Sequence, residues 1–93
     1  MKVFFKNLGH LSKPICNELI SNIGLKNKDE RILLNWYIKE LNIYQIAEIE
    51  HLQKESAYNA LSIARKNLYR MSVYQIDLLP DGLIKIIKYL LRN

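Results

Sequence analysis

Between Asn42 and Arg70 the apolar residues follow a helical period twice, in two phases that a single rod cannot share. Ile43, Ile46, Ala47 and Ile49 read as one face at helical spacing. Continued as one helix, that face next carries Glu50, Gln53 and Lys54, and polar groups on a core line are costly unless paired. The stripe restarts in a new register at Ala57, Ala60, Leu61, Ala64 and Leu68. The chain therefore turns between Glu50 and Lys54, with Leu52 tucked inward as the anchor of the turn. His51 suits a left-handed position there, since His is among the non-glycine types enriched in that region. Asn42 with Gln45 three residues later is a capping box and starts the first of the two helices. Two helices joined by a tight turn, the second longer and basic, form the helix-turn-helix pattern.

The flanks are read by the same rules. Asn27 and Glu30 form a second capping box, so a support helix begins near Lys28, with Leu33, Trp36, Tyr37 and Leu41 inward and Ile32 or Leu34 at the margin. Trp36, the only tryptophan, belongs to the core or is half-buried. Upstream, Met1 to Phe5 is short and apolar, either a brief strand or an extended arm. Gly9 to Ser12 is a loop, and Ser12 followed by Pro14 starts a helix. Ile15, Cys16, Leu19, Ile20 and Ile23 make its stripe, and Gly24 ends it. Downstream, Ser72-Val-Tyr-Gln-Ile echoes Asn42-Ile-Tyr-Gln-Ile. Both read as capping boxes, which explains the echo without a duplication. Pro80, Asp81 and Gly82 open a last helix over residues 81–92. The expectation is an all-α fold of about five helices, one domain over residues 1–93. Its helix-turn-helix core spans 29–70, with N-terminal and C-terminal flanking helices.

At these residues the chain resembles the promoter-reading C-terminal region of bacterial sigma factors and, more loosely, the LuxR-type DNA-binding domains. The matching positions are Glu30, Arg31, Ile32, Leu33 and Tyr37 in the support helix, Leu41 and Asn42 where the family has Leu-Ser, then Ile46, Ala47 and Leu52. Ala57, Leu61, Ala64 and Leu68 match the inward face of the recognition helix, with Arg65 and Lys66 beside it. The resemblance covers residues 29–70 and departs at Glu40 and His51, where glycines are usual, and at Gln53, where a Ser or Thr cap is usual. It implies a DNA-reading fold, and an acidic face at Glu48 and Glu50 that contacts RNA polymerase.

Composition narrows the function classes. The net charge of +5 and a pI near 9.4 favour an anionic partner, nucleic acid before membrane, although many small domains are this basic for solubility alone. Cys16 is the single cysteine, so no disulfide closes within one chain, and its apolar face marks it as a buried small hydrophobe. His10 and His51 lie far apart without companion ligands, so neither a metal site nor a cofactor is expected. No apolar run approaches the ~18 residues of a membrane span, and no signal-peptide pattern is present. A cytoplasmic protein that is not an enzyme is the expectation. Glu48 and Glu50 read as a solvated acidic face, with no nucleophile or metal partner to make them catalytic.

The second helix of the motif, Lys54 to Arg70, carries the functional reading. With the alanine and leucine stripe inward, Lys54, Glu55, Ser56, Tyr58 and Asn59 face out at its N-terminal end, the part such folds use on base edges. Asn59 can pair with adenine through two hydrogen bonds, Glu55 can accept from cytosine, and Lys54 can reach guanine or a phosphate. Ser56 and Tyr58 suit phosphate oxygens or a thymine methyl. Ser62, Arg65, Lys66 and Arg70 lie further along and suit backbone phosphates, which set affinity and not sequence. The last helix is apolar on most sides, and its polar stripe is only Lys85, Lys88 and Arg92. It is either sandwiched in the fold or half of a homodimer seam through Ile84, Ile87 and Leu91, and the seam is preferred. A dimeric, sequence-specific transcription regulator bound to double-stranded DNA follows, and the resemblance implies one of bacterial or phage type. The alternative is a protein-interaction module for RNA polymerase, a sigma factor or another regulator.

Overall fold

The two apolar stripes on either side of the break become two separate helices in the computed structural model, which describes residues 1–93. The chain is all-helical: α1 (Lys2–Leu8), α2 (Lys13–Asn22), α3 (Asn27–Tyr37), α4 (Ile43–Glu50), α5 (Lys54–Tyr74) and α6 (Asp81–Leu90), with a 3₁₀ turn at Ile76–Leu78 before the last. Six helices are present where about five are expected from sequence. The additional one is α1.

Helix α4 opens on the reciprocal capping box foreseen at Asn42 and Gln45: Gln45 N–H donates to Asn42 Oδ1 at 2.9 Å and Asn42 N–H to Gln45 Oε1 at 3.0 Å. It closes on His51, whose backbone is left-handed at φ 56° and ψ 42°. The His51 N–H donates to the Glu48 carbonyl (3.2 Å) and the Leu52 N–H to the Ala47 carbonyl (2.8 Å), the paired closure of a Schellman motif. Leu52 is half-buried against the core beneath this turn. The other left-handed residue that is not glycine is Glu40, at φ 54°. It follows a widened last turn of α3, where Lys39 N–H reaches the Leu34 carbonyl and Leu41 N–H the Asn35 carbonyl.

The core runs between α3, α4 and α5. Ile32, Leu33, Ile43, Ile46, Ala47, Ala57, Leu61, Ala64 and Leu68 are buried in one cluster with Cys16, Leu19, Ile20 and Ile23 of the α2 segment. The inward stripe of α5 is the one read from its period. Three expected positions differ. Ile49 and Ile15 are exposed; at about 100° per residue Ile49 lies roughly 120° from Ile43 around α4, off the buried face. Ile32 is fully buried, not marginal. Trp36 and Tyr37 are half-buried and pack against the core from the inward side expected of them.

Three local expectations do not hold, and the last helix adds core of its own. Met1 to Phe5 is neither strand nor arm: Phe4 and Leu8, four apart, are buried on one face of α1, and Phe4 meets the Tyr69 ring edge-on at 5.3 Å. That burial overrides the strand preference of Val-Phe-Phe. The capping box at Asn27 and Glu30 does not form; Lys26 occupies the cap position without a side-chain bond. Ser72 does not start a helix either. It lies fully buried inside α5, its hydroxyl donating to the Leu68 carbonyl at 2.8 Å, so one helix runs on to Tyr74. Finally, α6 packs on α1 and α2, burying Leu83, Ile87 and Leu90 within the fold. No helix is long and apolar enough to cross a membrane.

Candidate functional site

Turning the alanines and leucines of α5 inward fixes what faces out. Lys54, Glu55, Ser56, Tyr58, Asn59 and Ser62 are all exposed along its N-terminal half. The cap residue Gln53 makes no side-chain bond to the helix, so the first backbone N–H groups of α5 point outward unsatisfied by the protein. Lys54 is held back toward α4: its Nζ donates to the Tyr44 hydroxyl at 3.3 Å and lies 5.3 Å from the ring centre. That hydroxyl, accepting from it, keeps the Lys54 ammonium above the usual lysine range.

Each side of this exposed face meets another helix. On one side Ser56 and Asn59 border a shallow groove whose far bank is Lys26, Lys28 and Asp29. Asp29 is tied to α5 by the Asn67 amide, which donates to its Oδ2 at 2.8 Å. On the other side Tyr58, Ser62 and Lys66 border a cavity of about 540 Å³ closed by Lys2 and Phe5 of α1 and Trp36 of α3. The exposed Lys66 and Arg70 continue the basic line along α5. The two ion pairs of the molecule are Lys13–Glu40, 3.2 Å, and Arg31–Glu50, 2.6 Å. Lys2, Lys26, Lys28, Lys66 and Arg70 are therefore cations without a carboxylate partner.

Arg65 stands apart from the other expected phosphate contacts. Its side chain turns inward and is partly buried, with Nε donating to the Tyr37 hydroxyl at 3.0 Å. The guanidinium carbon sits 5.0 Å from the Phe5 ring centre and 5.9 Å from that of Tyr37, cation–π distances. Burial raises the Tyr37 phenol above its ordinary value, against the opposing pull of Arg65. Two further expectations are corrected. Glu50 is not solvated: Arg31 grips it with two bonds of 2.6 and 2.7 Å and its side chain is 3% exposed, leaving Glu48 alone on an open acidic face. Ile87 cannot line a dimer seam because it is fully buried within one chain, whereas Ile84 is half-buried and Leu91 exposed. Burial pushes the Cys16 thiol up to about 11, so it is protonated at neutral pH, as a small core hydrophobe would be.

Sequence reasoning missed Lys2, Lys26, Lys28 and Tyr44. Their only advance signal is charge or aromaticity next to a helix start, and nothing local says which helix end lies beside α5. No protein-family model, no curated protein and no solved structure matches the chain.

Proposed function

We propose that this protein is a small sequence-specific DNA-binding transcription regulator in which α3, α4 and α5 act as a helix-turn-helix, with the N-terminal half of α5 entering the major groove. One observation carries the reading. The exposed face of α5 holds side chains suited to base edges, and cations without partners flank it on both sides, Lys26 and Lys28 on one bank, Lys2 and Lys66 on the other. A duplex needs that arrangement: side chains for base edges in the groove and positive charge over both bordering backbones. The resemblance to the sigma-factor C-terminal region gains support from backbone geometry. Glu40 and His51, the two places where that family has glycine, are the two non-glycine residues with positive φ, so the departures in sequence keep the conformation glycine would supply.

Within this proposal Asn59 reads adenine and Glu55 accepts from cytosine N4. Lys54, steered by Tyr44, reaches guanine or a phosphate, and Ser56 and Tyr58 meet phosphate or a thymine methyl. Ser62, Lys66 and Arg70 hold the backbone, joined by Lys2, Lys26 and Lys28. Two copies would read half-sites about 34 Å apart, paired through the exposed Leu91 and the neighbouring Ile84. Sedimentation as a monomer at every concentration, with and without duplex, removes that pairing and leaves the DNA contact. Glu48 is the remaining acidic residue for an RNA polymerase contact.

The test is a gel shift with random-sequence duplex in rising salt. Each phosphate neutralised lowers the slope of log K against log salt by about 0.9. If Lys2, Lys26, Lys28, Lys66 and Arg70 all engage, the slope is about −4 to −5. Absence of retardation at low salt overturns the proposal and turns attention to a protein partner.

A further inference from the structure

The cavity between α1, α3 and α5 has a chemistry of its own. Three cations line it, Lys2, Arg65 and Lys66, and no carboxylate does. The apolar part of its wall includes the flat side chains of Phe5, Trp36 and Tyr58. Arg65 is the organising group. Its single side-chain bond runs from Nε to Tyr37, and it belongs to neither ion pair of the molecule. The guanidinium is thus fixed at its stem by a hydroxyl and two rings, while its terminal nitrogens have no acceptor in the protein. A guanidinium so held is pre-organised to donate two parallel bonds to a planar anion. The volume, about 540 Å³, falls in the ~300–1,000 Å³ range of small-molecule sites.

We propose that this cavity binds a small aromatic carboxylate, its anion bidentate on Arg65 with Lys2 and Lys66 alongside, and its ring against Trp36 and Tyr58. A planar carboxylate fits the guanidinium fork, and a flat body fits an aromatic wall that a hydrated phosphate would leave unused. Tyr58, Ser62 and Lys66 also belong to the face assigned to the duplex. Mutual exclusion of ligand and duplex therefore follows from the site, and that consequence rests on the DNA reading.

The test uses 1-naphthoate as the probe and 1-naphthalenemethanol as its uncharged counterpart, titrated into the full chain without DNA and followed by amide NMR. Saturable shifts are expected at the single indole N–H of Trp36 and at Phe5, Tyr58 and Ser62, with the acid binding at least tenfold tighter than the alcohol. Arg65→Met, which keeps the length of the stem, removes most of that tenfold preference and leaves the alcohol's affinity unchanged. Equal affinity for acid and alcohol, shifts clustered away from Trp36, or an acid preference that survives in folded Arg65→Met overturns the site. Should Arg65→Met fail to fold, the acid–alcohol comparison on the wild-type chain decides. Because no DNA is present, a duplex that fails to shift leaves this result standing, and a failed titration leaves the gel shift untouched.

Discussion

His51 and Glu40 hold the left-handed conformation at the two chain reversals that bracket α4. An L-residue there costs about 1–2 kcal/mol from its Cβ, while glycine costs the folded state about 0.4–1 kcal/mol through a freer unfolded chain. The first effect is larger. His51→Gly should therefore stabilise the protein by about 0.5–1 kcal/mol, and His51→Ile, β-branched, should destabilise it by more than 1 kcal/mol. Urea midpoints measure both, and an Ile variant as stable as the glycine one contradicts the account. His51 is the cleaner probe, since Glu40 also faces Lys13 at 3.2 Å. Within the proposed DNA reading, a second contrast separates base from backbone. Asn59→Ala should change the sequence recovered from a random oligonucleotide pool. Arg70→Ala should weaken every sequence alike and lower the salt slope by about 1. Arg70 is the cleaner probe of the backbone, since Arg65 also packs on Tyr37 and Phe5 and its loss would mix folding with binding.

Between elements, Arg31 and Glu50 pin the support helix to the end of α4, one residue before the turn. The Arg31 guanidinium, bonding to it, holds the Glu50 carboxyl below the ordinary 4.5, against a smaller opposing effect of burial. Its folded value is depressed, so the stability contributed is fully present above about 4.5 and is lost as pH falls through the lower folded value. Arg31 stays charged throughout. Arg31→Met should lower the melting temperature by a few degrees at pH 7, a modest loss because the guanidinium is half exposed. The gap between variant and wild type should then shrink steadily below pH 4.5. A gap undiminished at pH 3 would show that Arg31 acts through its apolar stem and not its charge.

Across the whole molecule, the first and last helices close on each other. Asn7 of α1 donates through Nδ2 to the Leu90 and Arg92 carbonyls at 3.0 and 2.8 Å, and more weakly to Tyr89 at 3.4 Å. The Leu90 carbonyl, the last of α6, and the Arg92 carbonyl just beyond it have no backbone partner, while that of Tyr89 also accepts from the Arg92 N–H at 3.2 Å. The contact joins positions more than 80 residues apart and secures the wall that brings Lys2 and Phe5 beside α5. Asn7→Ala loses about 0.5–1.5 kcal/mol per bond and regains roughly 0.5 kcal/mol of helix propensity. A net loss of about 1 kcal/mol is expected, read as a fall of about 4–8 °C in Tm. If α1 docks independently of α6, the variant melts like the wild type.

The sequence by itself determined much of what lies within a turn or two along the chain, though not the Asn27–Glu30 cap or the faces of Ile15 and Ile49. The period of each stripe, the Asn42–Gln45 cap, the reversal at His51 and the outward set on α5 from Lys54 to Asn59 all depend on near neighbours, and all were legible. Tertiary structure decided the rest. Phe4 and Leu8 make α1 a helix only because Tyr69 and α6 are there to cover them. Ser72 continues a helix it was expected to begin, since its hydroxyl is satisfied by Leu68 in a dry interior. Arg65 turns inward to Tyr37, 28 residues away, and Glu50 to Arg31, 19 residues away. A local pattern can say that such groups are polar and on which face they start. It cannot say which distant group meets them, because that partner is brought within reach only when apolar burial has fixed how the helices pack.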